Sequence, residues 1–443
     1  MSREFTHTGE SALPVWLGEK ERINEPLFCE ELLKDKQLRY INGSFFSTMG
    51  AVDENELSAE VYKTISPYMT SNVSRHTENI MKALKLRCFG TEIVADPDEI
   101  HLLNGIVRTD GTFIPEIRFC AHRLNANCDP VAYEEGKLPE QFLKFLEDML
   151  DSEDIITLQE YLGYCLIPQT NAQKAMFIIG NGGEGKSCIG VVMQSIFGSS
   201  MVTGNFHSLE TNRFSRYKLL NKLVMVDDDV QMSAFSSTGT IKNLITSRIH
   251  VEVEAKGVQS MQAELYARFI CFGNGSPKAL YDKSDGFTRR LMILTTNPVP
   301  QNRVPDPNIT DKFIAEKDLI FLWMLEGLKR LIANNFRFTI SERTKQNLSD
   351  MAADNCNIAE FLADSEYVSF GESFEVSSNQ LYGGYSHWCS VNGLTQLKQD
   401  TFTGWLKSNL TKYNIAYSTN IKSGNNHVRG FKGIRTNYTP FVA

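Results

Sequence analysis

AMFIIGNGGEGKSCIGVVMQSIF, residues 175–197, reads as a buried strand, a glycine-rich loop and an amphipathic helix in immediate succession. The apolar run Ala175 to Ile179 is short and bounded by Gly180, as a central strand of a parallel sheet should be. From Ser187 onward, Ile189, Val192, Met193, Ile196 and Phe197 recur at helical spacing, which puts one apolar stripe on a helix. The loop between them fits G-x-x-x-x-G-K-S through Gly180, Asn181, Gly182, Gly183, Glu184, Gly185, Lys186 and Ser187. Its glycines let the backbone turn so that successive N–H groups face phosphate oxygens, reinforced by the helix N-terminus. Lys186 is then expected to reach the β and γ phosphates of ATP, and Ser187 to ligate Mg²⁺. A chance match in a turn would lack the flanking strand and helix in that order.

Downstream, KLVMVDDD (222–229) is a second buried-type strand ending in acids. Mg²⁺ in such sites is held partly by a carboxylate at the edge of an adjacent strand, and a second carboxylate orients the attacking water. Asp227 and Asp228 are the candidates for these two roles, in that order. Ile249, Val251 and Val253 then alternate with His250, Glu252 and Glu254 before the turn Ala255-Lys256-Gly257, predicting a hairpin with a lysine at its tip. A third strand, Phe269 to Phe272, runs into Gly273-Asn274-Gly275, where the Asn274 amide suits sensing of a γ phosphate. A fourth, Leu291 to Leu294, follows Arg289-Arg290. Two adjacent arginines are ordinary on a surface; in a ring, one becomes a finger that stabilises transition-state charge in the neighbour's site.

The frame around this region is a soluble multidomain chain of 443 residues, 42% of them hydrophobic. No apolar run approaches the ~20 residues of a membrane span, and the start MSREFTHTGE has no signal-peptide core, so a cytoplasmic protein with no membrane partner is expected. Nine scattered cysteines without C-x-x-C spacing predict reduced, mostly buried thiols and support no zinc site.

Residues 1–100 form an N-terminal domain of unclear role, with a helical stretch from Glu56 to Leu86 and an acidic turn at Asp53, Glu54 and Glu56. HLLNGIVR (101–108) followed by Thr109-Asp110-Gly111 predicts a strand and tight turn. Apolar positions 142, 145, 146, 149 and 150, and then 158, 161, 162, 165 and 166, predict two amphipathic helices within a 101–170 region before the motor.

The net charge of −8 hides an asymmetry. From residue 398 to the end, seven lysines and arginines face Asp400 alone, a net of +6. A basic module on an acidic body is the pattern of a chain that docks on a polyanion. Ser377 to Cys389 and Lys398 to Leu410 read as two helices, followed by strands at Ile415 to Tyr417 and Val428 to Phe431. Two helices and a two-stranded hairpin make a winged helix. Its second helix is expected to present Lys398, Thr403 and Lys407, and its wing Lys422, Asn425, Asn426, His427 and Arg429. Lysines on phosphates give affinity without sequence choice, whereas Asn and Arg can read base edges.

GNGGEGKS, LVMVDDD, the hairpin ending in AKG, ICFGN and TRRL, in this order, resemble the superfamily 3 helicases, compact AAA+ motors of viruses, phages and plasmids. LNGIVRTDG, the Asp129-Pro130 step, LQEYLGYCLIP and the C-terminal LYGGYSHWCSVNG and GFKGI resemble, more narrowly, the phage/plasmid primase–helicase family, related to the poxvirus primase–helicase. The likeness covers roughly residues 100–443. It implies an ATP- and Mg²⁺-dependent replicative DNA helicase of a mobile element, a homo-hexameric ring working with a separate primase, since the primase signatures of larger members are absent. It also implies Lys186 and Ser187 as phosphate and metal contacts and Asp227 and Asp228 as the acidic pair, although Asp227, Asp228 and Asp229 run together here where the family has one clear pair, which leaves open which two act. Asn274 takes the place of the sensor, Arg290 with Arg289 second that of the finger acting in trans, and Lys256 that of the pore residue gripping DNA. The expected architecture is α/β: an AAA+ P-loop NTPase core at 171–300, a helical segment at 301–365 and a basic winged-helix domain at 366–443. The alternative from another class is an ATP-controlled origin-binding or primase-loading protein without processive unwinding, which would keep Lys186 but not need Lys256.

Overall fold

The structure, a computed structural model, describes residues 13–41, 43–90, 96–230, 238–246, 250–257, 260–275, 285–299, 306–354, 357–394, 396–423 and 426–439. Ile249 and Asn425 lie outside these residues. The chain divides into two compact units, one holding the described residues up to 275 and 285–345, the other those from 346 on. Among the described residues no helix is long and apolar enough to cross a membrane. The described cysteines form no disulfide, and all but Cys188 are buried.

The first unit opens with a small core of its own. Helix α1 (Glu25–Asp35) begins at Asn24, whose side chain accepts from Leu27 N. An antiparallel meander follows, β1 (Arg39–Ile41), β2 (Ser44–Ser47) and β3 (Gly50–Val52), then α2 (Glu54–Ile65) and α3 (Val73–Arg87). The single helical stretch expected over 56–86 is therefore two helices, divided where Ser66-Pro67 turns the chain through a short 3₁₀ segment. Asp53 is more than a solvated acid: it caps α2 by accepting from Asn55 N at 2.8 Å and Glu56 N at 3.0 Å. Phe28, Phe45, Leu57, Val61, Ile80 and Leu84 close this core.

The expected strand over 101–108 is likewise broken, into β4 (Glu99–His101) and β5 (Ile106–Arg108). Leu102 N donates to Gly105 O at 2.8 Å across the turn between them. The tight turn at 109–111 then delivers β6 (Phe113–Ile114). Helix α4 (Pro130–Glu134) is capped by the Asp129 carboxylate and starts on a proline that has no N–H to satisfy. Helices α5 (Glu140–Met149) and α6 (Ser152–Tyr164) fall where the apolar spacing put them and bury Phe142, Phe145, Leu146, Met149, Leu158, Tyr161 and Leu162.

A five-stranded, all-parallel sheet carries the middle of the chain. In chain order come β7 (Ala175–Gly180), α7 (Lys186–Phe197), β8 (Met201–Thr203), α8 (Ser208–Thr211), β9 (Val224–Asp227) and α9 (Gly239–Thr246). They are followed by a separate hairpin, β10 (Val251–Val253) with β11 (Met261–Ala263), and by β12 (Arg268–Asn274), α10 (Asp285–Thr288) and β13 (Leu291–Thr295). The strand order is β13-β7-β12-β9-β8. Both faces are covered, as an all-parallel sheet requires. Met176, Ile178, Val224, Val226, Ile270 and Phe272 meet α7 through Ile189, Val192 and Met193. On the other face Phe206 packs edge-on against Phe177 and Phe269, at 5.5 and 5.3 Å. This is a mixed α/β structure with a parallel sheet, consistent with an α/β nucleotide-binding fold.

Helices α11 (Ile309–Ala315) and α12 (Lys317–Ala333) complete this core, so the segments flanking the sheet in sequence share one interior with it. Helix α12 lies against α6 where each offers a glycine. A Cβ on Gly163 would collide with the Met324 carbonyl and lie 2.5 Å from Leu328 N, and one on Gly327 would collide with the Gln159 carbonyl. Beside this contact the buried Glu160 accepts from Arg330 Nε at 2.7 Å and from Thr339 N at 2.7 Å.

Helix α13 (Glu342–Asp354) runs from the first unit into the second, whose elements are α14 (Asn357–Ala363), β14 (Val368–Ser377), α15 (Ser378–Val391), α16 (Gln399–Ser408), β15 (Ala416–Ser423) and β16 (Asn426–Thr436). The unit thus begins some twenty residues before the 366 boundary drawn from sequence. Helices α15 and α16 and the β15–β16 hairpin fall where expected, with longer strands. Strand β14 was not foreseen; it pairs with β16 and makes a three-stranded antiparallel sheet, β14-β16-β15. Its pattern was illegible because a register shift between Phe370 and Glu375 leaves only its ends buried. Tyr385 stacks on Phe402 at 4.6 Å, and Trp388 Nε1 donates to Asp364 at 2.9 Å.

The glycine contact between α6 and α12 yields a stability prediction. Gly163→Ala and Gly327→Ala, each overpacking the crossing, should each lower stability by roughly 1–3 kcal/mol. The midpoint of urea unfolding followed by circular dichroism measures it; unchanged midpoints would show that the helices do not approach this closely.

Candidate nucleotide site and nucleic-acid interface

Parallel pairing brings the strand ends to one edge of the sheet. Asn274 stands opposite Gly180, Thr295 opposite Ile179, and Asp227 opposite Cys271, deeper along β12. Because β12 lies between β7 and β9, the amide falls between the glycine loop and the acids. The loop leaves β7 through Gly182, Gly183 and Gly185 at φ of 102°, 85° and 96°, a left-handed path that other residues resist. At Gly180 the need is for space: a Cβ would collide with Thr296 Oγ1 and lie 2.6 Å from Glu184 Oε1.

The loop's donors converge on one point. Asn181 N donates to Glu184 Oε1 at 2.5 Å, Gly182 N at 3.0 Å, and Lys186 Nζ donates to Glu184 Oε2 at 2.7 Å. Lys186, only 7% exposed, also reaches Asn274 Oδ1 at 3.0 Å. Glu184 is 3% exposed. Burial alone would raise its pKa, but the Lys186 ammonium and the loop N–H groups outweigh that and hold it below the usual carboxylate value. The donor set thus fits an anion with more than one oxygen, a carboxylate here, and is of the kind that a phosphate group would also satisfy. Ser187 is exposed at the first turn of α7, one residue beyond Lys186.

The acids separate by face. Strand alternation turns Asp227 away from α7: its Oδ2 accepts from Phe206 N at 2.7 Å and its Oδ1 from Asp229 N at 3.3 Å. Burial raises its pKa, partly offset by those N–H groups. Asp228 is exposed on the α7 side, with Oδ1 4.0 Å from where a Cβ on Gly190 would lie. Both acids thus stand at the end of β9, Asp227 with its carboxylate taken up by Phe206 N and Asp229 N, and Asp228 on the side of the helix that carries Ser187.

Arg289 and Arg290 are not brought to this loop. They sit at the other end of the sheet, where Arg290 O accepts from Ala175 N at 2.8 Å and Arg289 O from Lys174 Nζ at 2.6 Å. The length of β7 between the two edges is about 17 Å. Lys256 is exposed in the connection of the β10–β11 hairpin, beside Gly257 at φ 78°.

In the second unit, Thr403 and Lys407 on α16 and Arg429 on β16 share a cleft of about 650 Å³ with Gln399, Asn379 and Tyr417. Lys407 Nζ lies 3.8 Å from the Tyr417 ring centre, and Gln399 Nε2 donates to Asn379 Oδ1 at 2.6 Å. Lys398, at the N-cap of α16, and Lys422, paired in register with His427, are exposed but do not line the cleft. Asn426 opens β16. Two further basic residues of the tail are engaged on β14: Lys432 pairs with Glu375 at 2.9 Å, and Arg435 covers the Phe374 ring at 4.1 Å.

Residues 178–290, from the glycine-loop strand to Arg290, match a family of unknown function, DUF5906. Residues 353–437 match the poxvirus D5 protein-like family, within the second unit. No curated protein matches the chain. Among solved structures it is similar to the apo C-terminal region of NrS-1 (residues 305–718 of that protein), with 15% identity and a TM-score of 0.52 over 93% of this chain and 99% of that one. A second apo form of the same region gives 13% identity and a TM-score of 0.50 over 93% and 100%. The likeness is one of fold, and it runs nearly the full length of both chains.

Two residues at the loop edge escaped the sequence reading. Thr296 N donates to Ile179 O at 2.8 Å, and its hydroxyl lies where it would collide with a Cβ on Gly180. Arg343 binds that same strand end, donating to Thr295 Oγ1 at 2.9 Å and Asn297 Oδ1 at 2.8 Å while pairing with Asp151 at 2.7 Å. Thr296 directly follows a recognisable strand and was open to inference. Arg343 lies far along the chain, in a polar helix whose pattern carries no such signal.

Proposed function

We propose that this chain is a replication protein of the primase–helicase type that couples ATP hydrolysis to movement along DNA and separation of its strands. The observation that carries the reading is the convergence of Asn181 N, Gly182 N and Lys186 Nζ on one anionic group, next to Asn274, at the C-terminal edge of a parallel sheet. Ligands of open α/β sheets bind at that edge. The match to the poxvirus D5-like family and the fold shared with the NrS-1 C-terminal region support the replication setting.

Bound ATP supplies a phosphoanhydride and its Mg²⁺ a centre of positive charge. Within this chain Lys186 and the loop N–H groups would hold the phosphates, and Ser187 with Asp228 would hold the metal, whose positive charge would offset the negative charge of the phosphates. Asn274, held by Lys186, stands where an attacking water is oriented. Asp227 stiffens the turn after β9 through Phe206 N and Asp229 N. Arg290, a sheet's length from its own loop, acts on a neighbour's site, which calls for an AAA+ ring, a hexamer. Lys256 grips the DNA strand in the ring's pore. The second unit is a winged helix whose cleft takes duplex DNA between α16 and the β15–β16 hairpin.

ATP-dependent strand displacement on a forked DNA tests the whole reading. Wild type should unwind it, while Lys186→Ala and Asp228→Asn should lose at least about a hundredfold in ATP turnover. Turnover in either variant at the wild-type rate would refute the phosphate-loop mechanism. Lys256→Ala should hydrolyse ATP without unwinding; full unwinding by it would remove the pore assignment.

Assembly has its own readout. Arg290→Ala should be inactive by itself, and mixing it with inactive Lys186→Ala under exchange conditions should restore part of the ATPase activity, since some neighbours then pair an intact finger with an intact loop. Mixed rings as dead as their parents would argue against action in trans.

Binding of duplexes at several salt concentrations tests the cleft. Lys407→Ala should weaken all sequences alike and flatten the logarithmic salt dependence by about one unit of slope, whereas Arg429→Ala should reduce any preference for one sequence over scrambled DNA. Wild-type affinity and slope in both variants would place the DNA elsewhere.

A further inference from the structure

The glycine loop holds its own anion. Glu184 Oε1 and Oε2 take up Asn181 N, Gly182 N and Lys186 Nζ, the donors that a nucleotide phosphate would need. Two anions do not share one set of donors: the bonds are already made, and like charges at contact repel. The site is also shielded, with Lys186 and Glu184 both almost fully buried. With Glu184 elsewhere and no ligand present, the buried Lys186 ammonium would keep Asn274 Oδ1 as its one remaining partner among the described residues, and the two loop N–H groups would be left to water.

The glutamate also has somewhere to go. It is flanked by Gly183 and Gly185 at φ of 85° and 96°, and a Cβ on Gly183 would find nothing within 4 Å. Glycine torsions on both sides of Glu184 allow a wide range of φ, so the carboxylate can swing out while Lys186, anchored in α7 and bonded to Asn274, stays in place.

We propose that Glu184 is an internal stand-in for phosphate, which keeps the empty loop in its binding shape and which the nucleotide must displace. This rests on the phosphate-loop reading and adds a regulator of the same site. Glu184 thereby lowers nucleotide affinity and favours ligands whose added phosphates bring further charge and acceptor oxygens to the loop, di- and triphosphates over monophosphates.

The test is titration of the full chain with a fluorescent ADP analogue and Mg²⁺, together with thermal melting. Glu184→Ala should bind the analogue about tenfold more tightly than wild type or better, and Glu184→Gln, which keeps an acceptor but no charge, should fall between. Without nucleotide, Glu184→Ala should melt lower than wild type, and saturating ADP should raise its melting temperature by more. Binding by both variants that is equal to or weaker than wild type, alongside loss of binding in Lys186→Ala, would overturn the stand-in role and leave the phosphate loop intact. Undiminished binding by Lys186→Ala would overturn the phosphate-loop reading and this inference with it.

Discussion

A buried ammonium and inward-facing N–H groups at the end of a β-strand demand negative charge at one point, and much of the first unit is arranged around that demand. Lys186 is drawn to it by the first turn of α7, which follows β7 after a loop too short to wander. The glycines are there because the path has positive φ at three positions and no room for a Cβ at Gly180. Asn274 arrives by strand pairing, opposite Gly180, and ties Lys186 to the neighbouring strand. An arrangement of this kind binds an anion whether the chain provides it or a ligand does.

Holding such a point steady takes a rigid scaffold, since small displacements of donors weaken a charged site. The sheet is clamped on both faces, and the α6–α12 contact brings two helix backbones together through Gly163 and Gly327. The buried Glu160 is satisfied by Arg330 and by Thr339, which fastens the chain that leads to Arg343. Arg343 then grips the ends of β13 and α6, beside the loop. Residues about 160 positions apart in sequence are thereby made neighbours of one site.

The second unit treats charge differently. Its basic excess is not spread evenly, because Lys432 and Arg435 are used to bind β14, and Lys407 lies on Tyr417. The cleft that remains combines two cations and the Asp400 carboxylate with amides and hydroxyls, a lining that offers directed hydrogen bonds more than bulk positive charge.

The local pattern determined a good deal. The strand–loop–helix at 175–197, helices α5 and α6, the β10–β11 hairpin and the pair α15–α16 were legible because each is set by periodicity or glycine placement within a few residues. The break at Ser66-Pro67, the turn at 102–105 and strand β14 were not: each depends on partners elsewhere, and β14 has a shifted register that erases alternation. KLVMVDDD announced acids at a strand end, but which acid faces α7 is a matter of which side of the strand the helix covers, and that put Asp228 rather than Asp227 beside it. Sequence likewise named Glu184 as one member of a loop; only the folded loop shows its carboxylate on the donors. A motif specifies the groups that are available, whereas their pairing is a property of distances in three dimensions, fixed by packing from the whole chain.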